Sequence, residues 1–332
     1  MFTQDFFKLI RIYLGTFSIT FSIFCFVIWY YNKYLLFYSI VLFTIILVSQ
    51  IFVFSFRYNN TRFIDPYWGF NGIFILMLTL AHLDFHVFYY NNNFNEKVIV
   101  FSIFSLIFIY GARHLLIYGR SFQSLALEHE DFRYVGLRAK FENKKLLYWI
   151  FNYLFLHLYP ILLEACLIYP SIQVIEIFNG FEKEKGSKKR SMFGFCYLGY
   201  FISIIGFFIE TIADEQLYFF IKGKEHKEHG DTTEKANIDN SSKDQYVMKQ
   251  GFWKNNRHPN YLGEIIFYFG ILVINYGVTQ EISFYRIVPF IAFFLMFVFY
   301  SIPEMEQRLL TKYRAEYSQY KQTSYRLIPY IY

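Results

Sequence analysis

The feature that most constrains this chain is its succession of long apolar runs. They lie at approximately 12–31, 34–56, 67–90, 97–118, 146–178, 192–213, 262–278 and 284–302, separated by polar stretches. A helix rises about 1.5 Å per residue, so roughly 20 apolar residues cross the ~30 Å hydrocarbon of a bilayer. Within lipid every backbone N–H and C=O must be bonded inside the protein, which a lone apolar run achieves only as a helix. The expected fold is therefore all-α, a polytopic membrane bundle of about eight spans. Only Asn32 and Lys33 separate the first two runs, a tight hairpin. The fifth run exceeds one straight span and carries Pro160 and Pro170, which predicts a kink. The last two are short enough to form a tilted or partly re-entrant pair.

The polar residues give this bundle a direction. Only 17% of residues are charged, below the ~25% of soluble domains. With eight spans, one side collects 23 of the 32 Lys and Arg and the other eight, with Arg113 inside a span. The positive-inside rule puts the richer side in the cytoplasm or the equivalent energised compartment. Five of the eight sit in one loop, Gly180 to Ser191, against that trend. The net charge of +6 is spread over loops without a basic, aromatic-interleaved block, so nucleic acid is not an expected partner. Cys25, Cys166 and Cys196 lie in apolar runs at unrelated spacings and read as small core residues. No small-residue cleavage site follows the first run, so it is expected to remain as a span.

Residues 1–57 read as a leading transmembrane hairpin and 58–332 as the main transmembrane domain, with a polar, disorder-like loop at 222–246. Glu304 to Tyr320 spaces Leu309, Leu310, Tyr313, Tyr317 and Tyr320 at helical intervals, an amphipathic helix at the membrane surface.

The densest polar stretch is Arg257-His258-Pro259-Asn260-Tyr261-Leu262-Gly263-Glu264, where a polar loop enters the seventh run. Pro259 suits the first turn of a helix and pushes the residue before it to extended geometry. Asn260 and Glu264 then share one face where loop meets lipid. An ion or amide there is costly unless paired or bound, which favours function; an interfacial anchor of snorkelling Arg and belt Tyr is the plainer alternative. Glu210 to Gln216 ends the sixth run, with Glu210 and Asp214 one turn apart. Glu304 and Glu306 follow the eighth run, and Arg113 and His114 close the fourth. On the stated sidedness all of these reach one bundle mouth, the pattern of a site; ordinary helix-end charge is the alternative. His82 and His86 are one turn apart, half a metal site, with Asp84 facing away; no second pair accompanies them, and a metal is not expected.

Several segments in the same order resemble the steroid 5α-reductase and isoprenylcysteine methyltransferase superfamily, closest to its uncharacterised steroid-reductase-like members. They are Asp65-Pro66-Tyr67-Trp68-Gly69, Glu130-Asp131-Phe132-Arg133-Tyr134 with Arg138, Glu210 to Gln216, Arg257 to Glu264, and Ile302-Pro303-Glu304 with Tyr320 and Ile328-Pro329. Residues 60–332 are covered. The resemblance implies a membrane-embedded enzyme. In the reductase branch these carboxyl-terminal helices bind NADPH, and hydride passes to an activated carbon–carbon double bond of a lipid- or sterol-like substrate. In the methyltransferase branch the Arg-His-Pro region binds S-adenosylmethionine. Glu210 to Gln216 and Asn260-Tyr261 are similar to the reductase side. By position, Arg133, Asp214, Arg257, His258, Asn260, Tyr261 and Glu264 would contact the cofactor, with Arg133 and Arg257 suited to phosphate through bidentate pairing. Asp65 and Tyr67 are candidates by location only, and no catalytic acid is carried over.

One departure bears on this. Leu217-Tyr218-Phe219-Phe220-Ile221 stands where the steroid enzymes carry phosphate-binding arginines. It keeps open a second role without a cofactor, as a structural subunit of a larger membrane complex with neighbouring subunits. The reductase reading implies the endoplasmic reticulum or another endomembrane, the subunit reading the mitochondrial inner membrane.

Overall fold

The computed structural model describes residues 36–82, 93–123, 130–142, 144–178, 192–228 and 246–328, with 11, 15, 18 and 19 before them. Those residues are helical with no strand beyond one isolated bridge, Asn256 with Tyr325. Seven of the helices are long and apolar enough to cross a membrane, and they cover the expected runs from the second to the eighth. The first run, the loop Gly180 to Ser191 and most of the loop 222–246 lie outside the described residues, as do the side chains of His82, Asp84 and His86. Among the described residues no three His, Cys, Asp or Glu side chains gather as metal ligands.

The chain divides into two compact units, Met1–Tyr197 with Ile274–Pro289, and Leu198–Val273 with Phe290–Tyr332. In the first, α1 (Leu36–Arg57), α2 (Tyr67–His82), α3 (Phe94–Gln123), α4 (Phe132–Lys140), α5 (Lys145–Phe151) and α6 (Tyr159–Phe178) follow in order. Phe43, Leu47, Ile51, Tyr67, Phe74 and Ile161 belong to its buried core. Helices α2 and α3 touch backbone to backbone at Gly69 and Gly111, where a Cβ on either residue would lie within 3 Å of the other's carbonyl oxygen.

The kink expected in the fifth run is a π-helical turn, Asn152–Leu158, two residues before Pro160. Proline cannot donate to the helix ladder and crowds the carbonyl one turn back; a widened turn relieves both. The turn carries Asn152 and His157 into the core. Asn152 donates to Thr61 Oγ1 at 2.7 Å, and His157 Nε2 lies 2.9 Å from Ser55 Oγ. A second π turn, Phe297–Ser301, likewise stands two residues before a proline, Pro303.

The second unit holds most of α7 (Phe193–Glu228) and of α8 (Pro259–Thr279), the end of α9 (Phe284–Met296), and α10 (Ile302–Thr323). Small residues let α7 and α8 approach. A Cβ at Gly206 would meet Phe267 N at 2.4 Å, and one at Gly270 would meet Ser203 Oγ at 2.2 Å. Ser203 uses this closeness to donate to the Phe267 carbonyl at 2.9 Å. In lipid, where apolar burial drives helix association weakly, such contact supplies packing instead. The apolar stripe of α10 packs Leu309, Leu310, Tyr313, Tyr317 and Tyr320 against Val247. The helix breaks at Arg314, whose backbone is non-helical.

Candidate functional site

The site is built where α8 begins. Pro259 opens that helix, and the chain before it, Asn255 to His258, is pinned to the carboxyl-terminal segment. Arg257 N donates to the Tyr325 carbonyl and Tyr325 N to the Asn255 carbonyl, both at 2.9 Å. Asn256 folds back: its side-chain oxygen accepts from His258 N at 2.8 Å and its amide donates to the Leu327 carbonyl at 2.7 Å. An Asn doing this locks an extended entry into the helix, the geometry Pro259 requires.

The segment Glu210 to Gln216 of α7 meets this entry residue by residue. The Ala213 carbonyl accepts from Trp253 Nε1 at 2.9 Å, and Gln216 Oε1 accepts from Phe252 N at 3.0 Å. Gly251 has φ +58°, and a Cβ there would strike the Gln216 amide, so only glycine passes. Glu210 is buried, and a Cβ at Gly263 would lie 2.5 Å from its backbone nitrogen. Asn260 Nδ2 donates to Asp214 Oδ1 at 3.1 Å. Asp214 and Asn260, 46 residues apart, are thus joined, as the convergence read from sequence requires.

Because a carboxylate can only accept, that bond fixes the carboxamide with its nitrogen toward Asp214. Asn260 Oδ1 is left buried and without a partner among the described residues. Glu264, one turn on, is also buried.

The second half of the site is an ion cluster around Glu306 of α10, 2% exposed. Arg257 Nε donates to its carboxylate at 2.6 Å, Arg326 Nη2 at 3.1 Å, and Lys321 Nζ stands at 3.5 Å. Three cations therefore surround one carboxylate. Arg257 also reaches the carbonyls of Lys321, at 3.2 Å, and Ser324, so its guanidinium ties α10 to the α8 entry. His258 Nε2 lies 3.7 Å from Glu306 Oε1, beyond hydrogen-bond range. Its ring stacks on Tyr261 at 5.4 Å and 5°, and Tyr261 stacks in turn on Phe297 at 4.5 Å. Burial lowers the His258 pKa; Glu306 opposes that, while Arg257 and Arg326 add to it. The imidazole is held neutral.

Of the residues expected to contact a cofactor, the second unit joins Asp214 with Asn260 and sets Arg257 and His258 about Glu306, with Tyr261 stacked beside them and Glu264 one turn further along α8. Arg133 belongs to the first unit, beside Asp131 at 3.0 Å and Asp65 at 3.5 Å. There the segments 59–65 and 130–138 close on each other. Tyr134 donates to Asp65, Thr61 N donates to Glu130 at 2.7 Å, and Arg138 bridges Glu130 and the Asn59 carbonyl. The Asp131 carboxyl is lowered: burial works upward, but the hydrogen bond and charge of Arg133 outweigh it. Arg113 and His114 also lie in the first unit.

Sequence reasoning brought Glu306 to the mouth of the site, with helix-end charge as the alternative, but gave Lys321 and Trp253 no part. The signal for Lys321 was a carboxylate at the head of a tail bearing five cations, whose convergence only the fold can supply.

The family model for proteins of unknown function, DUF1295, matches residues 51–324. The chain belongs to this family. Its match takes in the end of α1, the helices α2 to α6 of the first unit, and the cluster of Asp214, Arg257, Asn260, Glu306 and Lys321, but not Arg326. No curated protein and no solved structure matches the chain.

Proposed function

We propose that this DUF1295 protein is a membrane-embedded reductase that uses NADPH to saturate a carbon–carbon double bond in a lipid- or sterol-like substrate. The observation that carries the reading is the Asn260–Asp214 pair. Asp214 holds the carboxamide so that Oδ1 remains a buried, unsatisfied acceptor. Such an atom costs about 1–3 kcal/mol unless a ligand supplies a donor. The amide N–H of a nicotinamide is a donor of the right kind, and Asp214 and Asn260 are positions at which the steroid-reductase resemblance expects it.

When bound, NADPH supplies the hydride. The protein's own work is to orient the nicotinamide through Asn260, keep Asn260 oriented through Asp214, and exclude water with its apolar helices. Phosphate groups meet a different picture from the one expected. Arg257 is engaged with Glu306 and two carbonyls, so the part-exposed Lys321 and Arg326 are the cations at the edge of the cluster. Endomembrane residence, the endoplasmic reticulum above all, follows from the same resemblance.

One observation favours a second reading, a non-catalytic subunit of a membrane complex such as one of the mitochondrial inner membrane. Arg257 Nε and Nη1 are engaged inside the fold, and no arginine stands on the turns after Asp214. The two readings part on binding. Purified protein in nanodiscs should bind NADPH saturably and oxidise it in the presence of an enone lipid, and Asn260→Ala should weaken binding about tenfold. No binding of NADPH by a folded protein overturns the proposal in favour of the subunit. Binding of S-adenosylmethionine in its place overturns it in favour of a methyltransferase.

A further inference from the structure

In the first unit, at the turn between α8 and α9, Arg286 is buried at 6% exposure. Its hydrogen-bond acceptors are all uncharged. Nε donates to Gln173 Oε1 at 2.9 Å, and Nη1 to Thr279 Oγ1 at 3.0 Å and the Glu281 carbonyl at 3.3 Å. Its Cζ stands 5.0 Å from the Tyr285 ring. No carboxylate among the described residues comes within ion-pair distance. The buried Arg257, by contrast, sits on Glu306.

A buried cation without a counter-charge is costly, by several kcal/mol even after relaxation. Here the neighbours are organised to present it. Gln173 donates its own amide to Tyr285 Oη at 3.1 Å, and Asn275 donates to the Pro170 carbonyl at 2.7 Å and toward Gln173 Oε1 at 3.4 Å. Gln173 thus accepts from Arg286 and Asn275 together and holds the guanidinium in place.

The surroundings are lipid-like. Ile282, Phe284 and Tyr285 on the same turn are 78%, 82% and 53% exposed. A guanidinium backed by neutral dipoles and fringed by exposed apolar side chains matches an anionic phosphodiester between acyl chains and water.

We propose that Arg286, positioned by Gln173 and Thr279, binds the phosphate of an anionic membrane phospholipid at the α8–α9 turn. The site takes no part in the proposed reduction and stands whether or not NADPH binds.

The test uses the full chain in detergent, titrated with phosphatidylglycerol, phosphatidylcholine or inorganic phosphate, with melting temperature and lipid adducts in native mass spectrometry as readouts. Phosphatidylglycerol should raise the melting temperature and remain bound. Arg286→Gln should weaken that response about tenfold. Gln173→Glu guards against a variant that merely misfolds: it sets a carboxylate 2.9 Å from Arg286 Nε, satisfies the guanidinium internally, and should give a folded protein no longer responsive to the lipid. An equal response to phosphatidylcholine overturns the proposal, because a headgroup without net negative charge then suffices. So does an equal response to inorganic phosphate, which makes the site a general anion site, or an undiminished response in Gln173→Glu.

Discussion

Replacing Glu306 by Gln removes the one negative charge that three cations share, with almost no change in volume. The cost can be apportioned from exposure. Arg257 and Glu306 side chains are 7% and 3% exposed, so their 2.6 Å bond is a buried pair. Deleting one partner of such a pair costs about 3–5 kcal/mol, because the other charge stays buried and uncompensated. Lys321 and Arg326 side chains are 33% and 29% exposed and can turn to water, so each adds at most about 1 kcal/mol. The total, roughly 3–7 kcal/mol, should appear as a melting temperature on the order of 10 °C lower for Glu306→Gln in detergent. A loss below 1 kcal/mol would refute the assignment of Arg257 as an internal clamp. NADPH affinity supplies the complementary measurement. If Arg257 serves Glu306, freeing it destabilises the carboxyl-terminal segment and affinity falls. If instead Arg257 is withheld from phosphate by Glu306, affinity rises. The sign of the change decides between them.

Three further substitutions test the packing and the titration that the structure implies. His258 has its pKa lowered, so below the unfolded value of about 6.5 the unfolded chain binds a proton that the folded chain refuses. Stability from this group is full above that pH and is lost as pH falls, by up to about 1.4 kcal/mol per unit; His258→Gln should flatten this part of the thermal-shift profile between pH 7 and 5. Gly206→Ala forces a methyl to within 2.4 Å of the α8 backbone and should cost more than 1–3 kcal/mol, whereas Gly136→Ala on α4, with nothing within 4 Å, should gain about 0.5–1 kcal/mol in the same melting assay.

The all-helical fold was legible because lipid leaves a long apolar run one solution, and the runs from 34 onward could be bounded by length alone. The mouth of the site was legible in part for a related reason. Asp214 and Asn260 stood out because polar groups at the edge of lipid need a partner, and they turn out to be each other's. The glycines at 206 and 270 escaped notice because glycine is common in membrane helices and only an opposing backbone makes one obligatory. The π turn at Asn152–Leu158 could be foreseen as a kink from Pro160 but not as the device that delivers Asn152 and His157 inward. Arg257 was legible as a functional arginine, yet its partner lies 49 residues on, and no local spacing shows which carboxylate a guanidinium will choose.

That choice narrows the chemistry of the cluster. Three cations about one carboxylate leave positive charge in excess, and the most buried of the three is the one bound both to Glu306 and to the Lys321 and Ser324 carbonyls. An arginine committed in this way cannot also embrace a phosphate without giving up the tail. Lys321 and Arg326 can, since each keeps part of its side chain in contact with solvent. An anionic cofactor at this mouth would therefore lean on the carboxyl-terminal tail for its phosphates and on Asn260 for its ring. Deleting residues after Thr323 removes Arg326 and should then weaken NADPH binding even though Lys321 and Asn260 remain.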